Sequence, residues 1–148
     1  MNLNIYKAEE KDALVAATLA IQMWEDNDLE DLANEFVEII RSPEGVIFLG
    51  EIDGKNIGFS QCQLRHDYVE GTETSPVGYL EGIFIEEKYR KKGYAKQLLA
   101  ACENWALEQG CTEFASDCEL DNTESLKFHL SLGFEEANRV ICFTKSLV

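Results

Sequence analysis

Arg90-Lys91-Lys92-Gly93-Tyr94-Ala95 combines three cations with a glycine immediately before a helical pattern, Lys96-Gln97-Leu98-Leu99-Ala100-Ala101. It follows a mostly apolar segment, Tyr79-Leu80-Glu81-Gly82-Ile83-Phe84-Ile85. A strand, a short basic turn and a helix start together make an anion site. The first amides of a helix lack intrahelical acceptors and carry a partial positive charge. Gly93 has no Cβ to hold a phosphate away from the backbone. The turn therefore suits a pyrophosphate, and a pyrophosphate implies a cofactor. It is neither the G-x-x-x-x-G-K-[ST] loop nor the G-x-G-x-x-G fingerprint.

A second block lies downstream: Asn122-Thr123-Glu124-Ser125-Leu126-Lys127-Phe128-His129-Leu130-Ser131-Leu132-Gly133-Phe134. Asn122 reads as a helix cap and Gly133 as a helix stop, with Phe134 as an anchoring aromatic. Glu81 is also notable. A carboxylate in an otherwise apolar central strand is unusual enough to favour a functional role over a simple surface pair.

The elements that must position these residues follow from periodicity and turn signals. Short strands are expected over residues 3–6, 46–52, 55–65, 77–85 and 113–118, with one or two more over 135–148. Helices are expected over 7–24, 29–40, 93–109 and 122–132. Asp53-Gly54 marks a tight hairpin, and Gly110 a helix stop. Residues 66–76 form a polar connection. This order predicts an α/β (α+β) fold, a mixed sheet flanked by helices, in a single domain spanning 1–148.

Bulk properties narrow the class. The 148 residues suffice for one domain with a real core. The formal net charge of -15 argues against nucleic acid as a partner and suits a cationic substrate. No apolar run reaches the roughly 18 residues that a membrane span needs, and the N-terminus lacks an apolar signal region, so a cytoplasmic protein is expected. The five cysteines have no C-x-x-C spacing and read as thiols, neither a disulfide framework nor a metal site.

The basic turn matches Arg/Gln-x-x-Gly-x-Gly/Ala, and with the second block the chain resembles the GCN5-related N-acetyltransferases over essentially its whole length. The resemblance implies a central mixed, splayed sheet. It also implies acetyl-CoA as cofactor, held by the backbone of Ile83, Phe84 and Ile85, by Arg90, Lys91, Lys92, Gly93, Tyr94, Ala95 and Lys96 of the turn, and by Asn122, Ser125 and His129 of the second block. His129 stands where the family usually has a tyrosine that protonates the leaving thiolate. An imidazole could do so, but a packing role for His129 is the expectation.

A finer likeness is densest over 65–134, with Tyr68-Val69-Glu70-Gly71, Ser75-Pro76-Val77, Leu80-Glu81-Gly82-Ile83 and Cys111-Thr112-Glu113-Phe114. It is similar to the aminoglycoside 6'-N-acetyltransferases. That resemblance implies acetyl transfer to the 6'-amine of a polycationic aminoglycoside, by direct attack and with resistance as the consequence. Glu81 and Asp117 would be catalytic, holding the ammonium and accepting its proton. Trp24, Tyr68, Glu81, Asp117 and Asn138 would bind substrate. A homodimer built through the C-terminal strands is implied as well. An acetyltransferase for another amine or peptide, or a non-catalytic acyl-CoA sensor, are the alternatives.

Overall fold

The computed structural model describes residues 2–148. Its elements run β1 (Asn4–Lys7), α1 (Ala13–Ala20), α2 (Leu29–Arg41), β2 (Gly45–Ile52), β3 (Lys55–Arg65), β4 (Val77–Ile85), α3 (Tyr94–Glu108), β5 (Phe114–Ala115) and α4 (Thr123–Ser131). The five strands lie in the order β1-β2-β3-β4-β5, antiparallel through β4, with β4 and β5 parallel.

Two helices cover one face of the sheet. Ala16, Ala17 and Ala20 of α1 and Leu32 and Phe36 of α2 pack with Ile47, Leu49 and Phe59. The small side chains of α1 let its axis approach the strands closely. On the other face, Leu99, Cys102 and Trp105 of α3 pack with Val46, Cys62 and Leu80. Alternation along β2 and β3 thus feeds both cores, as expected for a sheet covered on both sides.

Local signals act where they were read. Asp53 and Gly54 take φ of 50° and 81°, the left-handed pair of a tight hairpin that joins Ile52 to Lys55. The Asp28 carboxylate accepts from the Asp31 amide at 3.1 Å and starts α2. Asn122 does the same for Ser125 at 3.0 Å and starts α4.

Three expectations are corrected. The helix expected over 7–24 is a 3-10 turn at Glu10–Asp12 followed by a short α1. The Asp12 carboxylate takes the Glu9 amide at 2.9 Å, and after Ala20 the chain tightens into turns that carry Trp24 back over the sheet. The strand expected over 113–118 shrinks to two residues, because from Ser116 onward side-chain bonds replace the ladder. No strand forms over 135–148. Those residues reach no sheet edge in their own chain, and Val140, Ile141 and Phe143 are left exposed. No helix among the described residues is long and apolar enough to cross a membrane.

The site depends most on two irregularities in β4. Gln61 pairs with Gly82 but Cys62 pairs with Leu80, so Glu81 is the extra residue of a β-bulge. The parallel pairing with β5 covers only Gly78↔Phe114 and Tyr79↔Ala115, while β4 continues to Ile85. Beyond Tyr79 the β5 side of β4 has no strand against it.

Candidate active site

The open stretch of β4 leads into the basic turn. Ile83 and Ile85 bury their side chains among the α3-side core residues, so their backbones are what the edge presents. Unpaired strand amides and carbonyls can accept an extended amide chain as a strand accepts a neighbour. Arg90 donates from Nε to the Ile85 carbonyl at 2.7 Å, and its guanidinium lies 5.4 Å from the Phe84 ring centre. It thereby ties the turn to the strand end. Lys91 and Gly93 have φ of 63° and 83°. No side chain caps α3 and no acidic residue lies in its first turn. The amides of Tyr94, Ala95 and Lys96 are thus left to an outside anion. Tyr94 buries its ring beside Leu98, so it offers only its amide. Lys91, Lys92 and Lys96 remain exposed around the turn. An uncapped helix start, a left-handed glycine and a cationic rim fit the pyrophosphate of a CoA thioester, and the free edge fits its pantetheine amides.

At the other lip of the splay, α4 presents its start and His129. The ring lies 2.8 Å from the Ser125 carbonyl through Nδ1 and 2.8 Å from Ser116 Oγ through Nε2. Ser116 Oγ is 3.2 Å from the Leu80 carbonyl. The ring centre is 5.3 Å from that of Phe134. With both nitrogens engaged, His129 braces α4 against the departing edge of β4. Asn122 and Ser125 are occupied in starting the same helix.

The two candidate carboxylates lie in one network. Glu81 receives Arg65 in a bidentate pair at 2.9 and 3.0 Å from Nη2, with Nε at 3.3 Å from Oε2. The Arg65 guanidinium sits 3.5 Å above the Tyr79 ring centre. The Tyr79 hydroxyl donates to the Asp117 carboxylate. Burial, and then this bond to a carboxylate, push the Tyr79 phenol well above its usual range. Glu81 is thus held rigidly at the bulge, and Asp117 is held from behind by a phenol that keeps its proton. Arg65 and Tyr79 were not singled out in the sequence. Nothing local marks them, because the contacts join β3 to β4 diagonally and depend on the register.

Glu81 also lines a cleft of about 360 Å³ between the turns that follow α1, helix α2 and the sheet, together with Trp24, Asn27, Leu32, Glu35, Phe36, Ile39 and Gln61. Trp24 meets Phe36 and Phe59 edge-on, with ring centres 6.4 and 6.2 Å away. It is both core and cleft wall. The cleft therefore has an aromatic side and an acceptor-rich side, a pairing that suits a sugar carrying ammonium groups. Tyr68 and Asn138 do not line this cleft. Tyr68 is exposed on the 66–76 connection, and Asn138 donates to Glu70 of the same connection at 2.7 Å. That connection is moored by Glu113, whose Oε1 accepts from the Glu73 and Thr74 amides at 2.9 and 2.8 Å.

The family model described as the acetyltransferase (GNAT) family matches residues 5–134. The chain belongs to the GNAT acetyltransferase family. It is 41% identical over 137 residues to an aminoglycoside N(6')-acetyltransferase type 1 of Serratia marcescens, covering 92% of each chain. With the protein of that name from Salmonella typhimurium it shares 43% over 124 residues, 84% of this chain and 86% of the other. AAC(6')-Iy, solved with the bisubstrate analogue CoA-S-monomethyl-acetylneamine, superposes with a TM-score of 0.94 at 38% identity over 99% of both chains. The aminoglycoside 6'-N-acetyltransferase AAC(6')-IG of Acinetobacter haemolyticus gives 0.93 at 36%, over 98% of this chain and 99% of that one.

For a GNAT acetyltransferase the bulge has a direct use. One extra residue re-aims β4, so that Glu81 reaches the acceptor cleft while Ile83 keeps its side chain in the core and its backbone on the open edge. The open edge of β4 and the cleft thus meet at one point on one strand. Gly82 sets their spacing. A Cβ there would stand 2.8 Å from Cη2 and Cζ2 of Trp24, a rigid ring already backed by Phe36 and Phe59. Gly82→Ala is expected to push the indole into the cleft and raise the KM for the amine about tenfold, leaving the acetyl-CoA Kd within about twofold. Steady-state kinetics beside calorimetry with acetyl-CoA would check this; an unchanged amine KM would remove Trp24 from the cleft wall.

Proposed function

We propose that this acetyltransferase moves the acetyl group of acetyl-CoA to the 6'-amine of aminoglycosides and so confers resistance to them. The observation that carries this reading is the cleft beside the splay, walled by Trp24 and bordered by Glu81, Glu35, Asn27 and Gln61. The names of the relatives, and the acetylneamine portion of the analogue bound by AAC(6')-Iy, support it.

Bound acetyl-CoA supplies an activated acetyl group, which passes straight to the amine without an acyl-enzyme: the C–N bond forms, the C–S bond breaks, and CoA leaves as a thiolate that takes a proton from water. The protein's part is positional and electrostatic. The open β4 edge and the α3 start hold the donor, and Trp24 offers a face to the sugar. Glu81 and Asp117 attract the ammonium, and its proton leaves toward them directly or through water, since an ammonium has no lone pair with which to attack. Backbone amide near Ile83 polarises the acetyl carbonyl. Holding both reactants at one bulge supplies much of the acceleration. His129 positions α4 and need not transfer a proton. In this reading Tyr68 and Asn138, on the neighbouring connection and the segment that follows Phe134, form an outer rim that meets the far rings of a large substrate.

Thiol release from acetyl-CoA, with tobramycin, spermidine and a lysine peptide offered in parallel, tests the function. Tobramycin turnover with its 6'-amine acetylated is expected. Preference for either other amine would replace the substrate class, and acetyl-CoA binding without turnover would favour a sensor.

The active unit is a homodimer in this proposal, and the protein is cytoplasmic, where acetyl-CoA and its five unpaired thiols are at home. The exposed Val140, Ile141, Phe143 and Leu147 support the dimer, because such an apolar run seldom stays in water. Deleting residues 139–148 is expected to turn a dimer into a monomer by sedimentation velocity. A dimer that survives the deletion would rule out this interface.

A further inference from the structure

Nothing in its sequence context marks Gln61, and beyond bordering the cleft it has no assigned role. It lies on β3 opposite Gly82, beside the bulge, and is 6% exposed. It is also one of the residues lining the acceptor cleft. Its Oε1 is the one buried side-chain oxygen or nitrogen among the described residues that no hydrogen-bond donor reaches. A buried carbonyl left without a donor is destabilising, and such exceptions in native folds call for a reason. Gln63, two residues along the same strand, lines a separate hollow beside Ser42 and Glu44.

The surroundings decide what Gln61 can serve. Leu32, Phe36 and Ile39 have no polar side-chain atom, Glu81 and Glu35 are acceptors only, and neither the Trp24 indole N–H nor the Asn27 amide reaches Gln61 Oε1. Nε and Nη2 of Arg65 bond to Glu81. The protein thus offers the Gln61 carbonyl no partner, and nothing anchors it where it stands. A half-turn of the side-chain amide would exchange Oε1 and Nε2 and turn the oxygen toward the cleft that the residue lines.

We infer that Gln61 is a specificity-determining residue whose side-chain carbonyl accepts a hydrogen bond from an ammonium or hydroxyl of the sugar that carries the reacting amine. The inference rests on the aminoglycoside reading above. It assigns to the substrate the donor that the fold withholds, and explains a buried amide where an apolar side chain would pack at less cost. Bound substrate would pair Gln61 and Glu81 at once, fixing the ring about the axis between them and turning its amine toward the open edge of β4.

The test compares Gln61→Met and Gln61→Glu with the unaltered chain, reading tobramycin affinity by calorimetry in the presence of CoA, tobramycin kinetics, and Tm. Methionine keeps the length and removes the acceptor; glutamate keeps the acceptor. Gln61→Met is expected to weaken tobramycin binding tenfold or more, the scale of a hydrogen bond to a charged group, with acetyl-CoA affinity unchanged. Its Tm should equal or exceed that of the unaltered chain, because the orphan oxygen is gone. Gln61→Glu should bind tobramycin within about threefold of it. A merely structural glutamine would lower Tm when replaced by methionine and leave affinity alone. Equal tobramycin affinity in the Gln61→Met and unaltered chains would overturn the inference and leave the function standing. Binding of tobramycin without acetylation would overturn the function while the affinities still judge Gln61. No tobramycin binding by the unaltered chain would overturn both.

Discussion

Replacing Glu81 by glutamine is expected to lower kcat for tobramycin about 100-fold, about 2.7 kcal/mol of barrier, while the acetyl-CoA Kd stays within about twofold. The side chains are nearly the same size, so the bulge survives. What changes is charge. In the unaltered chain the carboxylate accepts from Nε and Nη2 of Arg65 and still lines the cleft. Glutamine leaves the guanidinium without its counter-charge, still stacked on Tyr79 and aimed at the place where an ammonium must sit. The local field therefore changes sign: a site that attracts the amine begins to repel it. Asp117→Asn should act in the same direction but less, because Asp117 is exposed and already accepts from the Tyr79 hydroxyl. Equal losses in turnover and in acetyl-CoA affinity for Glu81→Gln would place Glu81 on the cofactor side and refute this account.

The second large effect concerns the cofactor. Gly93→Val is expected to weaken acetyl-CoA binding by about 5- to 150-fold, the equivalent of the roughly 1–3 kcal/mol that a branched residue costs in left-handed backbone. Gly93 has φ of 83° and opens α3. A side chain there would meet nothing within 4 Å, so the effect cannot be a clash. It acts through the backbone: valine moves the turn toward negative φ and swings the Tyr94, Ala95 and Lys96 amides off the anion. Gly110 is the control. It ends the same helix, has φ of 91° and is equally uncrowded, but faces no anion. Gly110→Val should lower Tm comparably and leave the acetyl-CoA Kd unchanged. Calorimetry on the two variants would sink the account if both lost affinity alike, or if Gly93→Val lost none.

How much of this protein was legible before folding depends on the range over which each signal acts. The Asp53-Gly54 hairpin, the Asp28 and Asn122 caps, the glycine stop at Gly133 and the basic turn before α3 are set by residues a few positions apart. Backbone sterics and nearby hydrogen bonds decide them wherever the segment sits. That is why the layered fold, the splay and the cofactor turn could be anticipated, the last two with the help of family likeness. Glu81 stood out for a related reason, as a charge amid an apolar strand.

The partners of Glu81 could not be read in the same way. One extra residue in β4 shifts every side chain beyond it to the other face of the sheet, and no composition signal marks where that residue will be. Arg65 over Tyr79, Tyr79 against Asp117 and the unpaired Gln61 all follow from that register. The 135–148 segment failed for the converse reason: its alternating apolar residues satisfy the local rule for a strand, but a strand also needs an edge to pair with, and the segment lies against no edge of its own sheet. The amino-acid sequence by itself determined the turns, the caps and the faces that must be buried, because those are short-range choices. The tertiary structure alone decided which charges meet, which acceptor is left for a ligand and which apolar segment stays uncovered, because each is a property of two distant stretches brought together in one register.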